Sequence, residues 1–370
     1  MTVLRFFHRW LGLLLSFIVV AIALSGGILI FHDAALRFSL PELSNPITSE
    51  QDHAYSTVLT ELEHRLPDAS IRQIRFPMQG KNAFQVWLSD GSEAFVHPIS
   101  GEVITRWTWD ESLMDILFEF HVHLFAGEVG EQMNGIVGIL VLGFVISGLV
   151  LWWPRRKKWR IRSLIPQHST SLHFMRSHSA LGVIFSAAIL LIVATGITMV
   201  FNRPIVTAIT SLLDSQPPTI PSATVTYVDR PIQSWTTILK TVSKVLPDGQ
   251  LISVRLPSKD NAAMSFRKRM PEEWHPNGRS FVLLNPYTGD VLQAINAQQQ
   301  EFGMRITQKF YPLHASKIGG IPYTLLALST SGALVLLGIF GIMSFVSRTW
   351  PQRKKQKSTQ NPIHILDHDW

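Results

Sequence analysis

The chain has 370 residues, a formal net charge of +7, a hydrophobic fraction of 46%, 14 histidines and no cysteine. The lack of thiols excludes disulfides, thiolate catalysis, cysteine-held iron–sulfur clusters and covalent c-type haem attachment, so a redox metal would have to rest on His, Met, Tyr or carboxylate. No P-loop, dinucleotide fingerprint or nucleophile–base arrangement is present, which argues against an NTP-driven pump or a hydrolase.

Four apolar runs, at about 10–31, 133–153, 180–201 and 323–347, are long enough for a hydrocarbon core of about 30 Å and almost free of charge. They divide the chain into transmembrane helix 1 (1–32), an outer module (33–120), helix 2 (121–153), a basic loop (154–178), helix 3 (179–202), a second outer module (203–312), helix 4 (313–347) and a tail (348–370). The first run is too long for a signal-peptide h-region and is followed by Phe31-His32-Asp33 rather than small residues, so it reads as a retained helix. Arg155, Arg156, Lys157, Lys158, Arg160 and Arg162 crowd the central loop, Arg353, Lys354 and Lys355 follow the last span, and Arg5 and Arg9 precede the first. By the positive-inside rule both termini and this loop face the cytoplasm, and the basic pI reports topology rather than nucleic-acid binding.

The first outer segment carries helical spacing over 53–66, then the alternating runs 71–76, 83–88 and 93–97, with Asp90-Gly91 and Ser100-Gly101 as turns before Glu102-Val103-Ile104. This pattern predicts a short antiparallel sheet behind one helix. The second segment repeats it. Residues 232–245 are helical, Leu246-Pro247-Asp248 echoes Leu66-Pro67-Asp68, 252–257 echoes the first strand, and 285–292 echoes 97–104.

The spans repeat as well. At one offset His8 meets His178, Gly12 meets Gly182, Ser16 meets Ser186 and Gly26 meets Gly196. Positions i, i+4 and i+8 share a helix face, so each copy places a small residue one turn from an imidazole, with room for a large flat group. Phe120-His121-Val122-His123 before span two corresponds, less closely, to Tyr311-Pro312-Leu313-His314 before span four, and Ser147-Gly148 to Ser331-Gly332. The expected fold is a four-span α-helical bundle made by tandem duplication, a parallel 2+2 repeat with two small α+β modules.

These residues resemble the PepSY-associated transmembrane family. The marks are HRWLG at 8–12, H-x-x-L-G at 178–182, H-L-x-x-G at 123–127, SGLVLWWPRR at 147–156 and the P-x-[ST]-G-[DE]-V turns at 98–103 and 286–291, which together cover nearly the whole chain. The resemblance implies PepSY-like modules on the periplasmic side of the bacterial inner membrane. It also implies the activity of haem-binding ferric-siderophore reductases: two haems b, a ferric siderophore as substrate and Fe(II) released for uptake. Some relatives carry a flavin/nicotinamide reductase domain. This sequence ends at Trp370 without one, so the expected electron donor is another molecule, a quinol or a cytoplasmic reductase.

Intramembrane histidines are costly and are read as functional. His8 and His178 form one symmetric pair at one end of the bundle, and His123 and His314 a second pair at the other, each suited to bis-imidazole ligation of haem iron. His32 and His121 are alternates for the outer pair, although Asn202 stands where a symmetric partner of His32 would be. His173 is an alternate for the inner pair and lacks the glycine one turn on. Arg305 and Lys309 near the outer pair are suited to haem propionates, and His53, His64, His97 and His275 read as solvated module residues. Two other readings belong to different functions: a haem-free, membrane-anchored binding or inhibitory PepSY module, and a haem electron carrier with another periplasmic acceptor.

Overall fold

The computed structural model describes residues 2–46, 49–66, 70–158, 161–213 and 222–349. The tail from 350 onward, with His364 and His368, lies outside the described residues, as do Pro67-Asp68, Arg160 and the side chain of His53.

In chain order the elements are α1 (Thr2–Leu29), α2 (His32–Ser39), α3 (Ser49–Arg65), β1 (Ile71–Arg75), β2 (Phe84–Leu88), β3 (Glu93–Val96), β4 (Val103–Trp107), α4 (Leu113–His123), α5 (Gly127–Trp152), α6 (Ser171–Val200), α7 (Asn202–Leu212), α8 (Trp235–Lys244), β5 (Gln250–Arg255), β6 (Met264–Arg269), β7 (Ser280–Leu284), β8 (Val291–Ile295), α9 (Phe302–Thr307), α10 (Phe310–His314) and α11 (Gly320–Thr349). They fall into two compact units. One comprises Met1–Gly27, Val137–Val193 and Leu326–Trp370, described as far as Thr349; the other comprises Ile28–Ile136 and Ala194–Leu325.

Among the described residues α1, α5, α6 and α11 are the four helices long and apolar enough to cross a membrane, and most of each lies in the first unit. Leu14, Phe17, Leu24 and Ile146 are more than half exposed, a distribution that suits lipid and not water. Each helix begins three to nine residues before the apolar run that marked it; in α1 and α6 the added residues include Arg5, Arg9 and Arg176, whose heads can extend outward without breaking the backbone ladder. Arg9, for example, lies over the rings of Trp10 and Phe345 at 5.0 and 5.7 Å. His8 and His178 are therefore inside α1 and α6 rather than at their edges. Small residues set the packing of α1 on α11. Ser331 donates its hydroxyl to the carbonyl of Ala23 at 2.7 Å, and a Cβ at Gly338 would come within 2.4 Å of Val20.

In the second unit, the eight strands form one antiparallel sheet in the order β4-β3-β2-β1-β5-β6-β7-β8. Two separate small sheets were expected. Instead β1 pairs with β5, centred on Ile74 opposite Val254, so the strand edge each module would leave open is closed by the other. α3 and α8 cover one face. Leu59, Leu62, Ile238 and Val242 pack on Ile74, Phe84, Val86, Val254, Phe266 and Val282, all under 4% exposed. Each such side chain contributes about 1.5–3 kcal/mol by burial. β1, β2, β3 and β5 agree with the expected runs to within two residues, β4 (Val103–Trp107) begins one residue late and continues three residues beyond Ile104, and β6 and β7 had no expected run of their own.

Five short helices, α2, α4, α7, α9 and α10, had no counterpart in the expected layout. α4 matters most. Positive φ at Leu124 (49°), Phe125 (59°) and Gly127 (55°) breaks the chain between α4 and α5, so His121 and His123 sit on a separate helix and not at the start of a span.

Candidate functional site

In the first unit the rings of His8 and His178 have centroids 6.3 Å apart with planes at 90°. His8 Nδ1 is 2.8 Å from Ser147 Oγ, and Ser147 Oγ is 3.1 Å from the carbonyl oxygen of Phe144. A serine has one hydrogen to give. Ser147 is placed to give it to the Phe144 carbonyl and to accept from a His8 ring protonated at Nδ1. His178 Nδ1 is 2.9 Å from the carbonyl of Leu337, which can only accept, so this ring is also protonated at Nδ1. Both imidazoles are thus placed to hold the tautomer whose Nε2 lone pair is available to a metal, with the other nitrogen anchored.

Two neutral imidazoles with metal–nitrogen bonds of about 2 Å on opposite sides of one iron have ring centroids about 6 Å apart. The observed spacing meets that requirement. A flat macrocycle also needs small neighbours. A Cβ at Gly12, one turn from His8, would meet no atom within 4 Å, and one at Gly182 would meet only Leu337 Cδ2, at 3.7 Å. Gly148 and Gly341 bring α5 and α11 against the rings, with ideal Cβ positions 3.4 Å from His8 Cε1 and 3.9 Å from His178 Nδ1. The donor set suits a bis-histidine haem. Among the described residues no group of three or more His, Cys, Asp or Glu forms a non-haem metal site.

In the second unit it is His121, and not His123, that the structure brings beside His314: the ring centroids are 6.2 Å apart at 36°. The two α4 histidines are two residues apart, about 200° around the helix, and cannot face one partner together. His123 turns the other way, its Nδ1 2.7 Å from the carboxylate of Glu119 one turn earlier. Asn134 fixes α4 from α5 by donating to the carbonyls of His121 at 2.5 Å and Val122 at 3.4 Å. Gly196 makes room for His314, since a Cβ there would lie 2.8 Å from its Cε1. Tyr323 donates to the carbonyl of Leu313 at 2.7 Å and ties α10 to α11.

The alternates lie elsewhere. His32 contacts Asp33 at 3.2 Å, and that carboxylate also takes Lys81 and Lys317 at 2.7 Å each. His173 pairs with Thr170 at 2.7 Å and with the ring of His168 at 4.7 Å. Lys309 lies over Trp274 at 4.2 Å. His275, expected to be solvated, is 5% exposed and stacks on Tyr311 at 4.8 Å.

The anchoring roles of Ser147 and the Leu337 carbonyl were not predicted. Ser147 was visible as half of a repeated Ser-Gly pair, but a backbone carbonyl leaves no mark in sequence. A family model, the PepSY-associated TM region, matches residues 5–348. No curated protein matches the chain.

Proposed function

The chain belongs to the PepSY-associated TM region family, and from that premise we propose that it is an inner-membrane oxidoreductase that holds two haems b and reduces a periplasmic ferric siderophore. The observation that carries this reading is the pair of histidine couples with ring centroids 6.3 and 6.2 Å apart, one in each unit. His8 and His178 would hold one haem, and His121 and His314 the other. Bound there, haem supplies one-electron carriage through the Fe(III)/Fe(II) couple. The side chains of the bundle supply neutral nitrogen ligands, fixed tautomers and a low-dielectric surround. Tandem duplication of the two halves accounts for the use of α1 and α6 in one couple and α4 and α10 in the other.

In this reading the basic flanks at Arg5, Arg9, Arg155, Arg156 and Lys157 face the cytoplasm, where a quinol or a reductase gives electrons, and the sheet unit faces the periplasm. The one-electron reduction of Fe(III) to Fe(II) in the substrate loosens a hard-oxygen chelate and frees the metal. The test is anaerobic mixing of dithionite-reduced, desalted protein with a ferric trihydroxamate and a coloured Fe(II) trap. Reoxidation of the reduced band with one trapped Fe(II) per electron supports the reading. A band that stays reduced rules out the siderophore as acceptor.

A further inference from the structure

The face of the sheet opposite α3 and α8 carries arginine. Across neighbouring strands the Cα-paired row runs Gln85, Arg75, Ser253, Arg267, Phe281. It is one residue along from the buried row Val86, Ile74, Val254, Phe266, Val282 that meets the helices, so it points to the other side. Arg75 and Arg267 stand two strands apart, about 10 Å between backbones, with only the small Ser253 between them. Both are packed on rings, Arg75 on Trp87 at 5.2 Å and Arg267 on Phe281 at 5.1 Å.

The arginines are short of counter-charge. Among the described residues none of Arg75, Arg267 and Arg279 makes an ion pair, and the buried Nε atoms of Arg75 and Arg279 have no hydrogen-bond partner. Arg75 gives one bond to the neutral Gln85 at 3.1 Å, and Gln85 in turn donates to Glu93 at 2.5 Å. The Glu273 carboxylate is taken by the backbone N–H of Arg279 at 2.8 Å and the Ser280 hydroxyl at 2.6 Å. Burial, with Arg279, Arg75 and Arg255 nearby, pushes Arg267 down to about 10, and the charge of Glu273 opposes this only in part. A buried guanidinium without an anion is costly, and its planar donors fit oxyanions in pairs.

We propose that Arg75, Arg267 and Arg279 form an oxyanion-binding site over Ser253 at the seam of the two half-sheets. His275, which lies close to Arg279 and Arg267, stacks on the ring of Tyr311, and Tyr311 stands one turn before His314 on α10. The ligand is therefore a group of carboxylates next to the outer histidine couple. Its source is either the iron chelate or the propionates of a haem held by that couple, and in this respect the inference rests on the proposed function.

The experiment is calorimetric titration of the full chain in detergent with ferric citrate, on haem-replete protein and on His121→Ala/His314→Ala protein. Binding to both forms, about tenfold or more weaker in Arg75→Gln/Arg267→Gln at unchanged haem content, identifies a chelate site. Binding only to the histidine variant, with haem content reduced in the arginine variant, identifies a propionate site. Ser253→Asp places a carboxylate between the guanidiniums and removes binding without deleting an arginine, which covers the case in which the double variant does not fold. No binding to either form, with haem content unaffected by the arginine changes, overturns the proposal. Ferric citrate binding in a protein that takes up no haem would overturn the reductase reading and leave the anion site standing.

Discussion

Ser147 fixes the ring of His8: its hydroxyl lies 2.8 Å from His8 Nδ1 and 3.1 Å from the carbonyl oxygen of Phe144. In α6 the same task falls to the backbone carbonyl of Leu337, which takes the Nδ1–H of His178 at 2.9 Å. The two halves of the couple are thus anchored by different means, and only one anchor can be removed by mutation.

Ser147→Ala leaves His8 Nδ1 without its acceptor and frees the ring to turn or change tautomer. Loss of such an anchoring partner lowers affinity about 10–100-fold. Haem-transfer titration to an apo-globin acceptor should show one of two haems released faster by about that factor, with the circular dichroism spectrum unchanged. The second haem should be unaffected.

Gly196→Ala and Gly148→Ala should differ. A Cβ at Gly196 comes within 2.8 Å of His314 Cε1, closer than real contacts allow, whereas a Cβ at Gly148 meets His8 Cε1 at an ordinary 3.4 Å. Absorbance of the reduced protein should therefore fall by about one haem in the first variant and stay near wild type in the second.

His275 and Asp33 both contribute to acid stability in the sheet unit. His275 is pushed down to about 3 by burial, with Arg279, Arg267 and Arg269 adding to it. The unfolded chain binds this proton from about pH 6.5. Native stability therefore falls as pH drops from about 6.5 toward 3, at up to about 1.4 kcal/mol per unit. His275→Phe keeps the stack on Tyr311 and should flatten that part of the profile. It loses the bond from the backbone N–H of Asn277, 3.2 Å from Nδ1, at a cost of about 1 kcal/mol.

Asp33 acts lower on the scale. Burial would raise its carboxyl, but the hydrogen bond with His32 and the charges of Lys81 and Lys317 outweigh burial and hold it well below the usual range. Its contribution is full above the unfolded carboxyl value of about 4 and is lost as pH falls below it. Asp33→Asn should lower the melting temperature at pH 7 and remove the acid limb below about pH 4, followed by thermal denaturation across pH.

Much of this was legible in the sequence, for physical reasons that can be named. Long apolar runs have few alternatives, and the spans and the strands β1 to β5 followed from period and turn residues, whereas β6 and β7 were not read. The inner couple followed from an internal repeat, because a histidine kept in register with a glycine one turn on marks a shared helix face. The outer couple was read as His123 with His314, while the structure sets His121 there. The break at Leu124 to Gly127 depends on positive φ, which Leu124 and Phe125 do not announce. The joining of two modules into one sheet was also hidden, since β1–β5 pairing is a contact between distant segments with no local signature.

The most direct measurement is pyridine haemochrome quantitation, with reduced-minus-oxidised spectra, of the detergent-purified chain and three variants expressed with ample haem. Two haems b per chain are expected, one lost in His8→Ala/His178→Ala, the other lost in His121→Ala/His314→Ala, and both kept in His123→Ala. A wild-type chain that binds no haem would rule out the haem-dependent reductase and leave a haem-free binding module in its place.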